Sequence, residues 1–282
     1  MTKIIALLDG SIYSESVCHH AAWAAKRVDA EVELLHLIKR ETADRKDYSG
    51  SIKLGARTRL MDELSTLDEQ RAKLSQSHGR AILEDGEAIV KGDADISVTA
   101  RLRYGDVVET VSEMADAGSL IMIGKRGEDA DFNEGHLGSN LERMVRAAKT
   151  PVFVANREFK EIKTVMIAFD GGESSLKAVN YVAENALFDG LNVLVVTIGD
   201  DATAHKANVD GAKSILEKAG RSVETRVIAG EPEVVLGKLS EDGDADILVM
   251  GAYGHSRIRT LIIGSTTTAM IRSCHIPVVL MK

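Results

Sequence analysis

The chain is written twice. Lys-Ile-Ile-Ala-Leu-Leu-Asp-Gly at 3–10 is answered by Thr-Val-Met-Ile-Ala-Phe-Asp-Gly at 164–171, and Val-Glu-Leu-Leu-His-Leu at 32–37 by Val-Leu-Val-Val-Thr-Ile at 193–198, both at one spacing. Farther on, 101–105 pairs with 226–230, 120–124 with 247–251, Gly138-Ser139 with Gly264-Ser265, and Pro151-Val152 with Pro277-Val278, at a shorter spacing. Each copy must therefore complete a fold within about 125 residues, and the change of spacing puts about 36 extra residues between the second and third strands of the first copy. The reading is two domains, 1–156 and 157–282, with an insertion at about 40–90 in the first. The linker near 157–163 is short, so the halves are expected to pack together.

Within each copy, short apolar runs alternate with helical patterns. The runs lack polar alternation, so both sheet faces should be covered, as in a parallel sheet wrapped by helices. Five strands and four helices per half give an α/β, doubly wound, flavodoxin-like class. In the second half, the first helix is expected near a Ser174-Ser175 cap. Further helices are expected at about 201–219, ending at Gly220, and at 232–242, with Pro232 in the first turn. The last strand is expected at 277–281. The insertion reads as a charged helix with Leu60, Leu64, Leu67 and Leu74 at three- and four-residue steps. An extended arm or lid fits it, and so does a solvated helix that simply covers the sheet.

Of the 282 residues, 44% are hydrophobic but only 4% aromatic, so the cores must be aliphatic. A net charge of −8 argues against a general electrostatic grip on nucleic acid or an anionic membrane. Cys18 and Cys274 lack metal-ligand spacing and read as buried thiols in a reducing compartment. The opening apolar run stops at Asp9, too short for a signal peptide or a membrane span. A soluble, cytoplasmic protein is expected.

In an open parallel sheet, ligands bind beyond the carboxyl ends of the strands, where strand order reverses. Three features of the second half converge there. Strand one ends in Asp170-Gly171-Gly172, strand four ends in Met250-Gly251 and runs on through Gly254, His255, Arg257 and Arg259, and Gly264-Ser265-Thr266 opens the last helix. Glycines let backbone N–H groups approach an anion, and a helix start adds free donors and the positive end of the dipole. His255, Arg257 and Arg259 offer side-chain donors to phosphate, and Asp170 an acceptor for a ribose hydroxyl or an adenine amino group. Each piece alone is also ordinary turn or cap chemistry.

Gly251-x2-Gly254-x9-Gly264-Ser265 resembles the nucleotide-binding signature of the universal stress protein family, and the resemblance covers both halves except the insertion. It implies tandem domains of adenine nucleotide α-hydrolase-like type, and a bound ATP or AMP, with or without magnesium. It further implies adenine seated between Asp170 and Ile198 with Met250 flanking. Ribose and phosphates would then lie on Gly251, Gly254, Gly264, Ser265 and Thr266. Domain pairing through the last strand is implied as well, an internal pseudo-dimer between 151–155 and 277–281, with a homodimer left open.

The first half carries a weaker version at Asp9, Gly124, Gly127, Gly138, Ser139 and Asn140. Its glycine spacing is one residue longer, and its loop 128–134 holds four carboxylates where the other loop holds basic residues. Those charges repel polyphosphate unless a cation intervenes; a metal-binding loop and a merely solvated one both fit. No Walker loop, Gly-x-Ser-x-Gly elbow or Cys–His pairing appears. The leading reading is a nucleotide-binding stress-response or regulatory module. A slow ATPase on the same site, with His255 as its one candidate base, and a nucleotide-free protein-interaction module are the alternatives. A flavin or another small ligand also remains open.

Overall fold

The computed structural model describes residues 1–38, 54–127, 138–199, 202–252 and 265–282; for 54–60, 202–206 and 265–266 it describes the backbone alone. The first half runs β1 (Lys3–Leu7), α1 (Ser14–Val28), β2 (Glu31–Ile38), α2 (Leu54–Asp93), β3 (Val98–Tyr104), α3 (Val107–Met114), β4 (Ser119–Gly124), α4 (Ser139–Ala147) and β5 (Val152–Ala155). The second repeats it as β6 (Thr164–Ala168), α5 (Glu173–Glu184), β7 (Asn192–Ile198), α6 (Ala202–Lys218), β8 (Ser222–Ile228), α7 (Pro232–Glu241), β9 (Ile247–Gly251), α8 (Ser265–Ser273) and β10 (Val278–Met281), with a 3₁₀ turn at Ala186–Phe188.

The strands form one ten-stranded sheet in the order β3-β2-β1-β4-β5-β10-β9-β6-β7-β8. Within each half all pairings are parallel, for example Ile4 on Val32 and on Leu120. The order 3-2-1-4-5 reverses between β1 and β4, and again between β6 and β9, so each half has one switch-point crevice. Where the halves meet, β5 and β10 pair antiparallel, with Val154 on Val278 and Val152 on Leu280. The inner edges of both half-sheets are thus paired, leaving β3 and β8 at the outer edges.

Two apolar layers sandwich this sheet and run through both halves. One joins Ile4, Ala6 and Leu34 to Ile167, Val193 and Phe188 beneath α1, α2, α5 and α6. The other joins Ile5 and Ile121 to Met166, Leu248 and Met270 beneath α3, α4, α7 and α8. Aliphatic strands dominate, and α1 meets them with buried Ala21, Ala22, Ala24 and Ala25, which allow close approach. Across the seam, Asn156 Nδ2 donates to His275 O (2.9 Å), Lys282 Nζ to Arg146 O (2.6 Å) and Arg27 Nε to Leu187 O (2.6 Å).

The helix expected at Ser174-Ser175 starts slightly earlier. Gly172 is the N-cap of α5, and the two serines fall in its first turn. Asp170 Oδ1 accepts from Gly172 N (2.8 Å), the amide of the N-cap itself, and from Ser175 Oγ (2.6 Å), which fixes the turn that leads into the helix. Helices α6, α7 and strand β10 fall within two residues of their expected limits. Both cysteines are buried and unpaired, and burial pushes the Cys18 thiol up to about 12. Among the described residues no helix is long and apolar enough to cross a membrane.

The insertion becomes α2, a 40-residue helix about 60 Å long. Its last part packs: Gly79 lies against His36 and Leu102, Gly86 against Leu8 and Cys18, and Leu83 and Val90 are buried. Residues 61–75 are exposed throughout, Leu64, Leu67 and Leu74 among them. The side chain of Leu60 lies outside the described residues. So α2 covers the sheet at one end and stands off it at the other.

Candidate functional site

At the first crevice β1 ends in Asp9-Gly10, and Gly10 turns with φ +80, a region that favours glycine. Asp9 Oδ1 accepts from Ser11 N (3.0 Å) and Ser14 Oγ (3.3 Å), and Ser14 Oγ accepts from Gly10 N (3.1 Å). Its other carboxylate oxygen faces the loop that leaves β4: a Cβ on Gly127 would sit 3.2 Å from Asp9 Oδ2. A Cβ on Gly138 would in turn sit 3.5 Å from Gly127 N. Gly138 is the N-cap of α4, and among the described residues no side chain caps that helix, so its first-turn N–H groups, those of Ser139 and Asn140 among them, have no partner within the helix. A strand-end carboxylate, two glycines and an uncapped helix start therefore meet at one spot.

The second crevice repeats the frame. Gly171 turns with φ +79, and Asp170 is held by Gly172 N and Ser175 Oγ. Opposite, Gly251 closes β9 and α8 begins at Ser265. Thr267 Oγ1 donates to Ala252 O (3.1 Å), tying α8 to the end of β9. Ile198 ends β7 half-buried, whereas Met250 is only 6% exposed and sits in the core beside α8. Met250 thus borders the crevice floor from beneath. Gly254, His255, Arg257, Arg259 and Gly264 lie outside the described residues, as do the side chains of Ser265 and Thr266 and the acidic run of the first half.

Glycine at 251 has a packing cause. A Cβ there would lie 2.7 Å from Ser174 Cβ and would also strike Ser174 Oγ. Gly124 is alike, 2.7 Å from Tyr13 Cβ. These two glycines let the first helix of each half approach the strand. Gly127 and Gly138 are the ones turned to the Asp9 side of the crevice.

The crevices differ in what stands over the strand-one turn. In the first half α2 presses on it: a Cβ on Gly10 would come within 2.8 Å of Ile82 Cδ1, with His78 Cε1 at 3.8 Å. In the second, a Cβ on Gly171 would meet the amide of Asn208, 3.0 Å from Nδ2. Below the turns, His36 Nδ1 binds Leu8 O (2.8 Å) and Thr197 Oγ1 donates to Phe169 O (2.8 Å), each fixing the last carbonyls of the neighbouring strand. Lys125, just past β4, reaches across the seam and donates to Arg272 O (2.9 Å) and Cys274 O (3.0 Å) at the end of α8. Burial pulls its ammonium down to about 8. A cavity of about 210 Å³ lined by Thr164, Asn192, Ser222 and Asp244 lies at the opposite, amino-terminal edge of the sheet, away from both crevices.

Sequence reasoning passes over Ser14 and takes Ser175 only as part of a helix cap, whereas both hydroxyls orient the crevice carboxylates. A signal was present, because each follows its Asp at the same distance in both copies. Asn208 left no such mark, since α2 replaces α6 at that place in the first half.

The universal stress protein family model matches residues 1–156 and 201–282. A universal stress protein of Synechocystis is 32% identical over 283 aligned residues, which span 99% of each chain. Among solved structures, a universal stress protein of Archaeoglobus fulgidus superposes with a TM-score of 0.66 at 20% identity, over 99% of this chain and 96% of that one. A functionally unknown protein of Pseudomonas aeruginosa gives 0.63 at 14%, over 100% and 92%. These structural likenesses show a shared two-half fold.

Proposed function

This chain belongs to the universal stress protein family, and we propose on that premise that it binds an adenine nucleotide, ATP or AMP, chiefly in the crevice of its second half, as a regulatory module. The units carrying the two crevices are 1–156 and 157–282. One observation carries the reading: a strand-end carboxylate and the start of a helix stand across the switch point. In the first half that helix start carries no capping side chain among the described residues and is connected to Asp9 through Gly127 and Gly138. Such a frame suits a ligand with a hydrogen-bond donor at one end and phosphate oxygens at the other. In the second half Asp170 would take the adenine or ribose end, beside Ile198. The backbone of Gly254, Gly264, Ser265 and Thr266 would take the phosphates, with His255 and Arg257 adding donors.

Preference for the second half rests on two contrasts. Four carboxylates in the first loop oppose a polyanion, where the second loop supplies His255, Arg257 and Arg259. The apolar Ile82 also lies on the first turn, where the second has the Asn208 amide.

Mass spectrometry of gently purified, then denatured protein is expected to release adenylate. In titrations with a fluorescent ATP analogue, Gly254→Val should weaken binding at least about tenfold, while Gly127→Val changes it by less than about twofold. Equal losses from both would defeat the preference, and no binding by the unaltered chain would defeat the function.

A further inference from the structure

The outer part of α2 carries an exposed apolar stripe that no described residue covers. Over residues 61–75, about 22 Å of helix, every residue is exposed. Leu64 is 39% exposed, Leu67 50% and Leu74 72%; Met61, also exposed, sits about five turns before Gly79 and so on the sheet-facing side. A free helix of this length is marginal in water, and a contiguous exposed apolar stripe marks a contact surface. Leu64, Leu67, Arg71 and Leu74 follow each other at steps of three, four and three, the a/d rhythm of a two-helix seam. At 3.6 residues per turn the stripe lies roughly a third of the way round the helix from the face that buries Gly79, Leu83, Gly86 and Val90. It is therefore not the sheet-facing stripe running on past the sheet.

We propose that this stripe is a dimerisation seam, in which two copies of the chain pair their α2 arms antiparallel about Leu67. Charge selects both the occupant and the direction. A parallel, in-register pair would set Arg71 against the partner's Arg71 inside the seam, a repulsive contact. Turning one arm round about Leu67 brings Arg71 level with the partner's Glu63, and does so twice by symmetry. Glu63 and Arg71 are both exposed, and neither has an ion-pair partner among the described residues. In the same register Leu67 comes level with the partner's Leu67, and Leu74 with the partner's residue 60. The helix starts at Leu54, which that register sets level with the partner's residue 80, where α2 meets its own domain. The free lengths of the two arms therefore match.

Sedimentation velocity on the full chain tests the seam. The expected species has twice the 30.4 kDa chain mass, and Leu67→Glu converts it to monomer with an unchanged far-UV circular dichroism spectrum. Glu63→Lys and Arg71→Glu should each give monomer alone and a dimer when mixed, because only the mixed pair restores both opposite-charge contacts. Three results would overturn the proposal: a monomer at every concentration, a dimer that resists Leu67→Glu and so uses another surface such as the β3 or β8 edges, or no rescue on mixing.

Discussion

The two halves share one backbone plan down to the paired turns at Gly10 and Gly171, yet their crevices are furnished differently. In the first, a helix inserted between the second and third strands lays Ile82 on the turn; in the second, the shorter α6 brings Asn208 there. Duplication preserves what the sheet needs: the apolar strands, the Asp that holds the first helix, and the small residues at strand ends. It releases what a ligand needs, so the second copy of a site can drift without harm to the fold. Differences between equivalent positions therefore separate residues kept for packing from residues kept for binding.

Acid should expose the largest difference. His20 is buried in α1, with its ring 5.1 Å from Phe153 and 4.9 Å from Phe159, and its Nε2 has no hydrogen-bond partner among the described residues. Burial lowers its pKa to about 4, whereas an unfolded chain binds that proton near 6.5. The stabilisation is complete above about pH 6.5 and is lost as the pH falls toward 4, by about 3 kcal/mol. The equivalent residue in the second half is Tyr181, whose phenol burial shifts upward, so it adds no acid limb. Urea denaturation of wild type and His20→Leu across this range should show the loss in the first and a flatter profile in the second.

Glycine substitutions sharpen the division between packing and binding. Gly251→Ala forces a Cβ into Ser174 and should cost about 2 kcal/mol, the usual scale of overpacking. Gly211, inside α6 with open space around it, should gain about 0.5–1 kcal/mol on change to Ala. Thermal melts read both. A Gly251→Ala protein as stable as wild type would remove the packing explanation of this glycine.

Replacing Asn208 by Leu gives the second turn the apolar cover of the first. Nucleotide affinity should fall about five- to tenfold, the worth of one hydrogen bond, with stability unchanged. Undiminished affinity would place Asn208 outside the site.

The smallest effect is expected at Glu33, buried between Lys3 Nζ (2.5 Å) and Arg101, where the second half has Leu194. Arg101 is half exposed and can turn to water, so Glu33→Leu should change stability by no more than about 1 kcal/mol. A loss of several kcal/mol on urea titration would show that the ion triad holds the first half together in a way its copy does not need.

Much of this architecture was legible because repetition doubles every weak signal. Two copies of an apolar run ending in Asp-Gly fix a strand and its turn where one would not, and the change in spacing located the insertion. The β5–β10 seam brings together the two closing Pro-Val strands. What escaped depends on where helices settle in three dimensions. Leu64, Leu67 and Leu74 have the period of a core-facing stripe, but they lie about a third of the way round α2 from the face that meets the sheet, on the part of the helix that stands off it. Gly251 and Gly254 look alike in the sequence, and only the approach of α5 gives the first a packing role. The crevice carboxylates follow directly from apolar runs that end in Asp-Gly, but the serines that orient them needed the folded turn.

Equilibrium dialysis of the full chain against labelled ATP, with the bound nucleotide counted per chain, tests the contrast between the halves most directly. The expected result is about one equivalent, abolished by Gly254→Val and retained by Gly127→Val. Two equivalents, or one that survives Gly254→Val and disappears with Gly127→Val, would contradict it.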